Sequence, residues 1–281
     1  MVHNPLQYLP SSTELPCSDD TPVDNELQNL IPNLLLAILA VVWEQRMDWF
    51  FGVDMGIYYV PGQYPQVPIV PDGFLSLGVE RRKSQRGRLS YVLWEENYVM
   101  PILVLEVVSH KYGKEYDEKQ IKYAQMGILY YVVYNPEYWV RDKHEPFEVY
   151  RLSNGEYVRQ PGEPVWMPEI NLGVGRGQGI NGGWQREWLY WFDQQGSRFL
   201  SPDEQAQQAQ QQAQQAQQQA QQAQQQAQQA QQQAQQAQQQ AQQAQQQALQ
   251  AQQQALQERQ LREELIAKLR QRGIDPDTLE N

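Results

Sequence analysis

The feature that most constrains the fold is three consecutive segments: PILVLEVVS at 101–109, KEYDEKQIKYAQM at 114–126 and ILYYVVYNP at 128–136. The outer two are apolar and rich in β-branched or aromatic residues, which suits buried strands. The middle one has the charge and alanine content of an amphipathic helix and stops at Gly127. Strand, helix and strand over 101–136 make a right-handed βαβ unit with parallel strands. That unit calls for a mixed sheet with a helix on each face, an α/β or α+β fold.

The flanking sequence supplies the remaining elements. Residues 25–47 read as an apolar helix interrupted near its start by Pro32. WFFGVDMGIYYV (49–60) reads as a strand or a hairpin, QVPIVPDGFLSL (66–77) as a second strand region and RLSYVLWEE (88–96) as a short strand or irregular segment. FEVYRLSNGEYVRQ (147–160) is a hairpin turning at Asn154-Gly155, and EWLYWFD (187–193) a last strand. GVGRGQGINGG (173–183) contains a G-x-G-x-x-G, but no clear strand precedes it and no helix follows. It is expected to be a flexible insertion rather than a dinucleotide site. Tyr130, Tyr131 and Tyr134 are expected in the core.

Three regions follow from the composition. Residues 1–24, rich in Pro, Ser, Thr and Asp, are expected to be a loose tail. Residues 25–200 hold all eight tryptophans and form the globular domain. Residues 201–281 carry an AQQAQQQ repeat with Ala at 206, 209, 213, 216, 220, 223 and onward to 255. Spacings alternating three and four are a heptad with Ala at both seam positions, continued by Leu265 and Leu269 and stopped by Gly273 and Pro276. A continuous helix over 206–272 would be about 100 Å long. Ala buries little area and Gln supplies no charge code. The tract is therefore a spacer, an oligomerisation arm, or an expanded repeat that stays helical, and 258–281 is a helical cap or interaction segment.

The balance of 33 acidic against 22 basic residues argues against a broadly basic nucleic-acid coat. One cysteine, Cys17, and three histidines exclude an internal disulfide and a Cys/His zinc cluster. The first residues lack a basic and apolar leader pattern, and the longest apolar run, LLLAILAVVW, is half of what a membrane span needs. A soluble, cytoplasmic protein is expected.

One residue does not suit its strand. Glu106 lies in the middle of PILVLEVVS, where a carboxylate is costly unless it has a partner or binds a cation. Asp72, in Pro71-Asp72-Gly73, and Lys119, on the following helix, are candidates to join it. Two carboxylates from adjacent strands, with the Val107 carbonyl, offer the oxygen ligands that Mg²⁺ takes. A nearby lysine can orient water and stabilise charge on a phosphoryl group. The plainer readings are a turn cap for Asp72, a structural ion pair for Glu106 with a helix lysine, and a solvated surface position for Lys119. The segment RRKSQRGR places Arg81, Arg82, Lys83, Arg86 and Arg88 between the two acids. It is expected as a loop at the rim of the site that contacts phosphates, or else as a solubilising loop.

Together, Pro71-Asp72, PILVLEVVS, the spacing Lys119-xxx-Tyr123-xxx-Gly127 and YYVVYNP resemble the PD-(D/E)XK nuclease superfamily. More closely, over about residues 22–200, they resemble its Uma family of bacterial restriction-type endonucleases. The resemblance implies a restriction-endonuclease-like mixed central sheet flanked by helices, a DNA substrate, and Mg²⁺ or Mn²⁺ held by Asp72 and Glu106. It also implies a catalytic Lys119, with Lys122 as the second choice, and an assisting acid among Asp24, Glu26 and Asp54. Val108 stands where the superfamily has its lysine, His110 where the family often has a small residue, and Asn135 in place of the Asp of Asp-Pro. A non-catalytic nucleic-acid- or protein-binding module on the same fold and a coiled-coil scaffold are the competing readings. A homo-oligomer would form through the globular domain or the C-terminal helix.

Overall fold

The computed structural model describes residues 9–16, 25–60, 67–111 and 113–273. Helix α1 (Glu26–Val42) starts at Asn25, whose side chain accepts from the backbone N–H groups of Leu27 and Gln28. The expected interruption at Pro32 does not occur. The helix runs through it, and Pro32 is buried. Its ring lies against the corner after Asp72, since a Cβ on Gly73 would be 3.1 Å from Pro32 Cβ. Glycine at 73 is what lets helix and strand approach so closely.

The central sheet has six strands in the order β1 (Trp49–Val53), β3 (Gly73–Leu77), β5 (Leu103–Val107), β6 (Tyr130–Tyr134), β7 (Phe147–Ser153) and β8 (Glu156–Arg159). Only β5 and β6 are parallel; the other neighbours are antiparallel. The parallel pair is the βαβ unit, crossed by α2 (Glu118–Met126), which Gly127 ends in the left-handed region at φ 78°. Asn154 and Gly155, both at positive φ, turn β7 into β8.

The segment 49–60 does not form a hairpin. After β1 the chain makes β2 (Ile57–Tyr58), which pairs in parallel with β4 (Tyr91–Val92) in a separate two-stranded sheet. Residues 9–16, expected within the loose tail, are tied to this region. Leu15 is buried beside Tyr58 and Val92, Tyr58 Oη donates to the Pro16 carbonyl at 2.6 Å, and Trp94 Nε1 donates to the Pro10 carbonyl at 2.8 Å.

The two faces of the central sheet carry different cores. On one, Leu105, Val132 and Phe51 join α1 and a three-stranded sheet of β9 (Val165–Met167), β10 (Leu172–Asn181) and β11 (Trp184–Phe192). Trp191 Nε1 donates to the Leu35 carbonyl at 2.9 Å and fixes α1 to that sheet. On the other, Phe74, Val104, Val108 and Val133 pack with Tyr123 of α2. The four-residue helix α3 (Trp139–Asp142) follows β6.

The glycine-rich run is not a flexible insertion, for it makes up most of β10. Its glycines at 173, 175, 177 and 179 alternate, so they share one face of the strand. Neighbours occupy the space their side chains would need. A Cβ on Gly175 would lie 3.0 Å from Pro164 Cα, and one on Gly177 2.8 Å from Arg198 Cδ.

The last element, α4 (Pro202–Gln271), opens with Ser201-Pro202-Asp203-Glu204. Ser201 Oγ accepts from the Glu204 N–H at 3.1 Å, and Glu204 Oε2 accepts from the Ser201 N–H at 2.8 Å, a reciprocal capping box. The globular unit extends to Gln208, and the helix from Ala209 is a second unit whose Ala/Gln side chains are exposed. No helix among the described residues is long and apolar enough to cross a membrane.

Candidate active site

Strand register brings the acids together. β3 and β5 pair Gly73 with Leu105, and β1 and β3 pair Val53 with Gly73. Continuing both ladders by one residue aligns Asp54, Asp72 and Glu106 across three adjacent strands. Two contacts hold this row. The Asp54 N–H donates to the Asp72 carbonyl at 3.1 Å, and the Val107 N–H donates to Asp72 Oδ2 at 2.6 Å. The Asp72 side chain thus takes the place of a ladder carbonyl at the end of β5.

Glu106 is 1% exposed. Two residues of α2, one turn apart, engage its carboxylate: Lys119 Nζ donates to Oε2 at 2.8 Å and Tyr123 Oη to Oε1 at 2.5 Å. Positions i and i+4 share a helix face, and the parallel crossover lays that face over β5. Val108, at the superfamily's lysine position, is buried in the apolar cluster with Tyr123. A cation therefore reaches Glu106 from the helix and not from the strand.

Burial, then the charge of Glu106, push the Asp72 carboxyl well above the usual range, against the opposing Val107 N–H and Lys119 ammonium. Burial alone would lower the Lys119 ammonium, but Glu106 outweighs it and the net shift is upward. The Tyr123 hydroxyl is raised by burial and by Glu106.

A further acid stands close by. Glu115, in the turn before α2, is buried, and burial raises its carboxyl while the charges of Lys119 and Glu106 act on it in opposite senses. It accepts from the Gly113 N–H at 3.1 Å, and its Oε1 occupies the space a side chain at 113 would need. The sequence reading left out Glu115 and gave Tyr123 no part in the site. Tyr123 had a usable signal, its i+4 spacing from Lys119. Glu115 had none beyond its proximity in the chain.

Other expected residues lie elsewhere. Among the described residues no hydrogen bond or ion pair joins Glu26 to Asp72 or Glu106, and Glu26 stands in the first turn of α1. Lys122 Nζ lies 5.8 Å from the Tyr59 ring centroid, and burial lowers its ammonium. Asp24 is outside the described residues.

The basic segment starts away from the acids. The chain leaves β3 after Leu77, the end opposite Asp72, and the N–H groups of Gly78 and Arg81 donate to the carbonyls of Asp48 and Met47 before β1. Five β-residues separate the two ends, about 17 Å. Arg81 lies 3.9 Å over the Trp49 ring, and Lys83 and Arg88 are ion-paired with Glu96. Position between two acids in sequence did not place the start of the segment beside them, because β3 carries the chain away from the first.

A group of three or more His, Cys, Asp or Glu side chains suited to a metal ion is absent among the described residues. The pair itself has suitable chemistry: two carboxylates whose mutual repulsion and burial already disfavour charge at Asp72, a strain that a bound dication relieves.

The site thus sits on a mixed sheet flanked by helices, with a buried acid on the parallel pair and a second acid one residue before the neighbouring antiparallel strand. The chain belongs to the Uma2 family: the family model, described as "Putative restriction endonuclease", matches residues 20–181 of 281. Among solved structures, the chain is similar to a protein from Anabaena variabilis described as "a putative nuclease belonging to DUF820". That similarity has 12% identity and a TM-score of 0.36, covering 52% of this chain and 74% of the other. None of the curated proteins matches the chain significantly.

Proposed function

We propose that this protein is an endonuclease that hydrolyses DNA phosphodiester bonds with the help of Mg²⁺ or Mn²⁺. The observation that carries the reading is the cluster of Asp72, Glu106 and Lys119, in which a helix lysine reaches the strand acid although the strand supplies Val108. Asp72 and Glu106, with the Val107 carbonyl, would hold the ion. Such an ion, when bound, supplies positive charge to the phosphoryl oxygens and makes a water more acidic. Lys119 keeps its proton, so its Nζ acts as a charged donor toward the attacking water or the phosphoryl oxygen, not as a base. The Val107 N–H orients Asp72 by holding Oδ2. Membership of the family supports DNA as the substrate, and Asp54, in line with the pair, is the assisting acid that the register favours.

A second reading, a binding module without catalysis, draws on the fact that both Glu106 oxygens are engaged within the protein. Cleavage of supercoiled plasmid with and without Mg²⁺ separates the two, using wild type, Asp72→Asn and Glu106→Gln. Metal-dependent nicking lost in both folded variants supports the nuclease. Equal nicking by all three, or none by wild type with DNA binding retained, rejects it.

A further inference from the structure

Tyr123 is fully buried, so it cannot meet a substrate. Its hydroxyl nevertheless makes a 2.5 Å hydrogen bond to Glu106, the acid at the centre of the site. Lys119 and Tyr123 divide the carboxylate between them, one oxygen each. Lys119 keeps 31% of its side chain exposed, whereas Tyr123 is wedged between Val104, Val108 and the Tyr131 ring, whose centroid is 5.3 Å away. The lysine can move when a cation arrives, and the tyrosine cannot.

The segment before α2 is pinned as well. Tyr131 Oη, from β6, donates to the Glu115 carbonyl at 2.6 Å, which sets the height of the first turn of α2 on the sheet. Tyr123 is then delivered to Oε1 by a fixed helix on a fixed strand. A carboxylate held at one oxygen keeps its plane and rotamer while the other oxygen exchanges partners.

We infer that Tyr123 is the positioning residue of this site: it fixes the Glu106 carboxylate through Oε1, so that Oε2 can pass from the Lys119 ammonium to a divalent cation without reorganisation. The inference rests on the metal-dependent reading above and adds to it a division of labour on α2, with Lys119 as the exchangeable partner and Tyr123 as the permanent one.

The test uses the full chain and Tyr123→Phe, which removes one hydroxyl and keeps the ring that fills the core. Tyr91→Phe is the control: it deletes the hydroxyl of an equally buried tyrosine of the same cluster, one that donates to the Val99 carbonyl at 2.7 Å instead of Glu106 and does not touch α2. Calorimetric titration with MgCl₂ and with MnCl₂ reads cation affinity without any turnover. Plasmid nicking against Mg²⁺ concentration and against DNA concentration reads activity. Tyr123→Phe is expected to bind both cations about 10- to 100-fold more weakly, as loss of such an outer partner typically does. Its half-saturating Mg²⁺ concentration should rise in parallel while half-saturation by DNA stays unchanged. Tyr91→Phe should leave cation affinity within about twofold of wild type. Wild-type affinity in Tyr123→Phe, or an equal loss in both variants, overturns the inference and leaves the nuclease reading standing. Failure of wild type to bind either cation overturns both.

Discussion

Lys119 Nζ lies 2.8 Å from Glu106 Oε2, joining a helix residue to a buried strand residue 13 positions earlier. The pair is asymmetric, with 31% of the lysine side chain exposed and 1% of the glutamate. Removing the lysine leaves a buried carboxylate with one neutral donor, Tyr123. A fully buried pair loses about 3–5 kcal/mol when one partner goes. Solvent reaches Lys119, so Lys119→Met should cost less, about 1–3 kcal/mol by urea denaturation. Under the proposed function it also abolishes nicking at every Mg²⁺ concentration. Full activity in a folded Lys119→Met protein would remove lysine from the mechanism.

The sequence shows why that pairing was legible and its surroundings were not. A carboxylate in an apolar strand must have a partner, and the βαβ crossover allows few candidates, so Glu106 and Lys119 could be named together. Register and period carried the hairpin at Asn154-Gly155 in the same way. The failures share a cause, reading composition locally where tertiary packing decided. Pro32 stayed in a helix because the helix packs on Gly73. Glycines at 173–179 looked like a loop, but their strict alternation is a strand pattern imposed by Pro164 and Arg198. The basic segment looked like a phosphate grip, yet two of its five cations face Glu96.

That last point yields a prediction about the loop. Arg88 and Glu96 side chains are 4% and 5% exposed and form two hydrogen bonds, 2.9 and 3.0 Å. Burial by itself would raise the Glu96 carboxyl, but Arg88 and Lys83 outweigh it and hold it below the usual range. A depressed acid stabilises the fold above its unfolded value, about 4.3, and that contribution disappears as pH falls through the folded value. Arg88→Ala should cost about 3–5 kcal/mol at neutral pH and flatten the loss of stability on acidification. Arg82→Ala and Arg86→Ala should leave stability within about 0.5 kcal/mol. If these two residues touch phosphates, each substitution lowers the slope of log affinity against log salt by about 0.9. Urea titrations at pH 3 to 7 and salt-dependent DNA binding measure both effects.

The glycine face of β10 makes a purely steric prediction. A Cβ on Gly179 would collide with Tyr190 Oη and lie 2.6 Å from Glu204 Oε1. Glu204 cannot simply swing aside, since it pairs with Arg198 at 2.7 Å and caps Ser201 at 2.8 Å. Gly179→Ala should therefore destabilise the domain by about 1–3 kcal/mol, whereas Gln178→Ala, at an exposed position of the same strand, should change stability by less than about 0.5 kcal/mol. Thermal unfolding followed by circular dichroism distinguishes them, and equal melting temperatures would contradict the described packing.

Asp72 gives the clearest pH signature. Burial and the Glu106 charge raise its carboxyl well above the usual value in the folded chain. An acid raised on folding binds its proton more tightly in the native state, so the native state carries more protons between the two values. Stability then falls as pH rises from about 4, the unfolded value, through the folded one. Asn at this position has the same shape, keeps an oxygen for the Val107 N–H and carries no charge. Asp72→Asn should therefore be more stable than wild type at pH 7–8 without added metal, with the advantage vanishing below about pH 4. Saturating Mg²⁺ should stabilise wild type and leave Asp72→Asn almost unmoved, because only wild type has the charge the ion neutralises. Urea denaturation across pH, with and without Mg²⁺, tests the sign directly. A variant less stable than wild type at pH 8 would mean that Asp72 serves the fold through its charge and not against it.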